Sequence, residues 1–183
     1  MVKEKDPDNY LPARQGRGTK IHANEFVIER IFNAPRKLIW KVFSEAEHVA
    51  QWWGPAGFKM TVNKLEFSPG GTFHYSMQSP DGLTMWGKFI YVQIIEPEKI
   101  SFILSFSDEN GRVIRAPMST TWPLEVFNVL TLTEKNGKTT LLLKGEPINA
   151  TEEEIETFRN EFDGMNKGFT ETFDQLVAYL ATL

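Results

Sequence analysis

Side chains able to move a proton are few in this sequence, and they are scattered. Histidine occurs three times, at His22, His48 and His74, with neither an H-x-H nor an H-E-x-x-H spacing that would put two imidazoles on one metal. There is no cysteine, which excludes a thiolate nucleophile, a Cys-ligated zinc and a disulfide. The remaining polar candidates are Tyr75, Arg115, Glu146, Arg159 and Asp163. A general base needs a positioned partner within hydrogen-bond reach, and no recognised motif ties two of these residues together. His48 adjoins the Trp52-Trp53 pair, where it either packs between helices or bonds a ligand. Arg159 and Asp163 stand four apart. On a helix they would form a surface ion pair of under about 1 kcal/mol, or, facing a cavity, orient the polar head of a ligand. The sequence therefore predicts no catalytic residue, no metal and no cofactor.

Binding chemistry is better supplied than acid-base chemistry. Phe73, Tyr75 and Met77 share one face of a strand while His74, Ser76 and Gln78 share the other. The first set should point inward and His74 toward solvent. Trp52, Trp53, Trp86, Phe102, Met118 and Trp122 add further aromatic and thioether surface. So do Phe162, Met165 and Phe169 near the C-terminus. This is more adaptable apolar surface than a sheet needs to cover one helix, and it suits either a pocket or a filled core. Of the Trp pair, one ring is expected to close the core while the other covers the sheet edge or the mouth of a cavity.

The elements that must position these groups can be read in order. Residues 1–23 mix charges with Pro7, Pro12, Gly16 and Gly18 and show no period, so they read as a tail, with one domain over 24–183. Alternation predicts a strand at 25–32. Asn33-Ala34-Pro35 then starts a helix whose face is Leu38, Ile39, Val42 and Phe43, with Asn33 able to cap it. A second short helix ends at Gly54-Pro55. Strands follow at 59–67, 71–78, 83–95, 99–107, 123–134 and 139–145, mostly separated by short Gly, Pro and Asn turns that force antiparallel neighbours. The connection 108–122 is longer and reads as a lid or a plain loop. From Thr151 onward, Phe158, Phe162, Met165, Phe169, Phe173, Leu176, Leu180 and Leu183 recur every three or four residues. That spacing predicts a single long amphipathic helix with a capping box at Thr151 and Glu154. Gly164 and Gly168 are expected to mark a close contact or a bend within it. The fold class is α+β: a curved antiparallel sheet of six or seven strands wrapped around the C-terminal helix.

A net charge of −4 argues against nucleic acid or an anionic membrane surface as the main partner. No apolar run is long enough to span a bilayer, so neither membrane insertion nor a signal peptide is expected. A reduced, cytoplasmic setting follows as the default.

Four ordered motifs carry a family resemblance: Phe32-Asn-Ala-Pro-Arg-Lys-Leu-Ile-Trp-Lys-Val-Phe; Glu47-His48 with Trp52-Trp53-Gly54-Pro55; Ser68-Pro-Gly-Gly-Thr-Phe with Pro80-Asp81-Gly82; and Ile95-Glu96-Pro97-Glu98-Lys99-Ile100. They resemble single-domain proteins similar to the C-terminal domain of the Hsp90 ATPase activator, in the START-like, Bet v1-like (SRPBCC) helix-grip superfamily. The resemblance implies a cavity between sheet and helix. It leaves three functions to compare: non-catalytic binding of a hydrophobic or aromatic small molecule, a chaperone- or stress-related protein-interaction module, and a cyclase- or hydratase-like enzyme. The weak polar constellation places binding first, interaction second and catalysis third. Residues 1–23 are not expected to replace the co-chaperone's separate N-terminal domain.

Overall fold

A computed structural model describes residues 24–183, and the predicted tail lies outside them. Strand β1 (Phe26–Phe32) is followed by helices α1 (Arg36–Ser44) and α2 (Ala46–Trp52). Then come β2 (Lys59–Leu65), β3 (Thr72–Gln78), β4 (Thr84–Ile95), β5 (Lys99–Ser107), β6 (Glu125–Lys135) and β7 (Lys138–Ile148). Helices α3 (Glu152–Asn160) and α4 (Phe162–Leu180) close the chain. All seven strands form one antiparallel sheet in the order β1-β7-β6-β5-β4-β3-β2. β1 crosses over to join the last strand, and every other neighbour is a hairpin partner. Asn136 and Gly137, both at positive φ (55° and 72°), join β6 to β7, the two-residue turn that the right-handed twist of a hairpin favours.

Phe26, Ile28 and Phe32 of β1 point into the concave face, while Val27 and Ile31 stay exposed. Each buried large side chain of this kind stabilises the fold by about 1.5–3 kcal/mol. Helix α1 starts at Pro35 with no side-chain cap of its own, so Asn33 does not cap it. The Glu134 carboxylate of β6 instead accepts the Arg36 N–H at 2.8 Å, and the Thr139 hydroxyl donates to Ala34 O at 2.7 Å. The cap thus comes from across the sheet. Trp52 is 1% exposed and its indole donates to Val42 O at 3.0 Å, which locks α2 against α1.

The C-terminal segment departs from the single helix expected. The capping box at Thr151 is present in both directions, but the helix is divided at Glu161, whose φ of −94° and ψ of 7° end α3 and begin α4. Gly164 and Gly168 lie inside α4 and do not interrupt it. No close contact explains Gly168 either, since a Cβ built there meets nothing within 4 Å.

Candidate functional site

The half of α4 around Phe173 and Leu176 is packed tightly, both residues being at most 1% exposed. Nearer its N-terminus, α4 and the sheet leave a cavity of about 320 Å³, within the usual range of small-molecule sites. Met165, Gly168, Phe169 and Thr172 of α4 and Phe158 of α3 form one wall. Tyr75 and Met77 of β3, Met85 and Gly87 of β4, Leu104 and Phe106 of β5, and Val126 and Asn128 of β6 form the floor. Trp53, Gly54 and Pro55 lie at one side and Trp122 at another. None of the lining residues is charged.

The long connection builds part of this wall. It turns back at residues 108–112, with Asp108 N–H donating to Arg112 O. It then runs beside the end of β5, where Ile114 N–H donates to Phe106 O at 3.0 Å. Arg115 pairs with Glu154 and donates to Trp122 O, and the Trp122 ring packs 5.4 Å from Phe158. The Thr151 backbone N–H, and after it Arg115, hold the Glu154 carboxyl below the usual carboxylate range. One carboxylate therefore caps α3 and ties the connection to it.

Two glycines shape the floor. At Gly87, a Cβ would come 2.3 Å from Cζ of Tyr75; only a bare backbone lets that ring lie across β4. Burial pushes the Tyr75 phenol up to about 12, with the Trp53 indole opposing the shift, so the hydroxyl is neutral at physiological pH. On β7, a Cβ at Gly145 would come 2.7 Å from Oδ1 of Asn128.

The expected aromatic set divides. Trp53, Tyr75, Met77, Trp122, Met165 and Phe169 line the cavity. Trp52, Phe73 and Phe102 belong to the packed core, where they border a void of only about 30 Å³. The Trp pair is split as its two roles required, with Trp52 closing the core and its ring 5.5 Å from that of Trp53. Phe162 packs on Phe26 and Phe158 rather than lining the cavity. Met118 is 64% exposed and takes no part.

Trp86, one of the expected aromatic set, is placed differently from Tyr75 and Met77. It borders the cavity wall but pairs with Ser76, so its side chain leaves the opposite face and stacks on His74 with centroids 5.1 Å apart. His74 in turn is buried rather than solvent-facing, because Trp86 and the 108–112 turn cover it and Asp108 O lies 3.2 Å from its Nε2. Strand parity gave the correct face, but not the cover over it.

His48 lies outside the cavity lining. Its Nδ1 is 2.6 Å from the Tyr179 hydroxyl, which clamps α2 to the end of α4, while its buried Nε2, 3.4 Å from a Glu45 oxygen, makes no hydrogen bond. Arg159 and Asp163 are both exposed and form no ion pair with each other among the described residues. Asn128 was not anticipated, although its signal was readable. It falls at the same parity as buried Val126, Leu130 and Leu132, a polar residue in an otherwise apolar inward series.

A curved antiparallel sheet closed by a C-terminal helix, with a cavity between them, is a helix-grip architecture. The chain belongs to the family described as Activator of Hsp90 ATPase homolog 1-like protein, whose family model matches residues 33–181. A crystal structure of a Mycobacterium smegmatis protein is 26% identical, with a TM-score of 0.71 over 87% of this chain and 92% of that one. A solution structure of an Arthrobacter aurescens protein, also 26% identical, has a TM-score of 0.74 and covers 91% of each chain. A Rhodobacter sphaeroides protein at 19% identity shares the fold, with a TM-score of 0.70 over 92% of this chain and 97% of that one. No curated protein matches the chain. Among the described residues no helix is long and apolar enough to cross a membrane.

Proposed function

We propose that this chain is a non-catalytic carrier or sensor that binds a small hydrophobic or aromatic molecule between the sheet and α4. The observation that carries the proposal is the 320 Å³ cavity, bounded by aromatic and methionine side chains and by no charged group. A ligand burying about 300 Å² of apolar surface there gains on the order of 7 kcal/mol. The costs of association are subtracted from that gain, so micromolar affinity is the upper limit. The cavity lining offers no base with a positioned partner, so a cyclase- or hydratase-like activity has little to work with. A second reading, a chaperone- or stress-related interaction module, draws on the family description and on the exposed Val113, Ile114 and Met118 of the long connection. It needs a protein partner and no ligand.

Titration with a panel of alkyl, aromatic and polyketide-like compounds separates the two. Trp53 and Trp122 stand in the wall, so a bound ligand should change the indole emission and raise the melting temperature, with part of the emission change lost in Trp53→Phe. A panel producing neither effect refutes the carrier.

A further inference from the structure

Resting on the cavity reading above, we infer that the ligand is electrically neutral and carries a hydroxyl-type donor that is received by the side-chain oxygen of Asn128. Two independent features of the site lead there.

The first is charge. With no Asp, Glu, Lys, Arg or His in the lining, a carboxylate or ammonium drawn into the cavity would lose its hydration and meet no counter-charge. The Tyr75 hydroxyl, neutral itself, supplies none. An anionic fatty acid is therefore excluded as an occupant that buries its head group.

The second is Asn128. This residue is 4% exposed, and its Nδ2 donates to Val126 O at 2.9 Å. That bond settles which end of the amide is which, because a carbonyl can be met only by the nitrogen. Oδ1 is then fixed in direction, leaning over Gly145 where a Cβ would approach to 2.7 Å, and it accepts no hydrogen bond from the protein among the described residues. Among the described residues the side-chain atoms buried without a partner are His48 Nε2 and Ser107 Oγ, so Oδ1 keeps access to the cavity that Asn128 lines, where an acceptor lacking a donor favours a ligand that brings one. A phenol or alcohol entering this cavity supplies the donor. Gly145 is the positioning element that gives the oxygen its room.

The test is calorimetric titration of the whole chain at pH 7 with three two-ring probes of the same frame: 2-naphthol, naphthalene and 2-naphthoate. The expected order is 2-naphthol at least tenfold tighter than naphthalene, equivalent to about 1.4 kcal/mol, with 2-naphthoate undetectable. Asn128→Leu should equalise naphthol and naphthalene while retaining naphthalene affinity, which also reports that the variant is folded. Gly145→Ala, which keeps the asparagine but displaces its oxygen, should narrow the naphthol preference in the same way. Equal binding of all three probes by the native protein, tighter binding of the naphthoate, or a naphthol preference that survives in both variants overturns the inference and leaves the cavity reading standing. No binding by any of the three overturns both.

Discussion

Gly168 offers the sharpest test of whether the space beside α4 is real. It sits inside a 19-residue helix, where glycine is worse than alanine by about 0.8–1.0 kcal/mol. A Cβ there meets nothing within 4 Å, and the residue borders the cavity. Gly168→Ala should therefore stabilise the protein by nearly the full propensity difference, with no steric penalty to offset it. At about 2–4 °C per kcal/mol for a domain of this size, the melting temperature should rise by about 2–4 °C. Gly168→Leu extends three further carbons into the cavity. At about 0.8 kcal/mol per buried methylene, it gains up to about 2 kcal/mol more if they are enclosed. The same leucine occupies ligand space, so binding of 2-naphthol should weaken at least tenfold. Thermal melts and titrations on the two variants suffice as assays. A Gly168→Ala protein less stable than the parent means that the glycine serves a close contact after all. A Gly168→Leu protein that binds as well as the parent means that the cavity is not the site.

Three other perturbations probe the walls and the ties that hold them. Gly87→Ala puts a Cβ 2.3 Å from the Tyr75 ring, so it should cost about 1–3 kcal/mol through overpacking in urea melts; a change within error would show that the ring is free to move. Thr151→Ala removes the α3 cap and should cost about 1 kcal/mol. Glu154, the other half of that box, is held below the usual carboxylate range, so its contribution is fully present above the unfolded value of about 4 and is lost as pH falls through the lowered folded value. Stability measured from pH 7 down to pH 3 should accordingly fall more steeply for the native chain than for Glu154→Gln, and parallel slopes contradict this assignment.

How much of this protein its sequence determines depends on the range of the interactions involved. Alternation along β1, the Asn136-Gly137 turn and the capping box at Thr151 are local, and each appears in the structure where its pattern placed it, whereas the stripe expected from Phe158 to Leu183 is shared between two helices and ends at Leu180, with Leu183 exposed. Short connections make consecutive strands antiparallel neighbours, so most of the sheet order also follows from local information. The family resemblance supplied the cavity-forming architecture. Tertiary structure decided the rest, because those features depend on what lies opposite a residue rather than beside it. The helix divides at Glu161, although Gly164 and Gly168 carry the weaker propensity. His74 has the parity of a surface residue but is buried, since Trp86 and a turn 34 residues along the chain cover it. Phe73 and Tyr75 share a face and a residue class, yet one is core and the other lines a cavity, because β4 carries a glycine beneath Tyr75. Void volume is a property of the distance between surfaces. No residue pattern encodes it alone, and it is what turns an inward-facing aromatic set into a site.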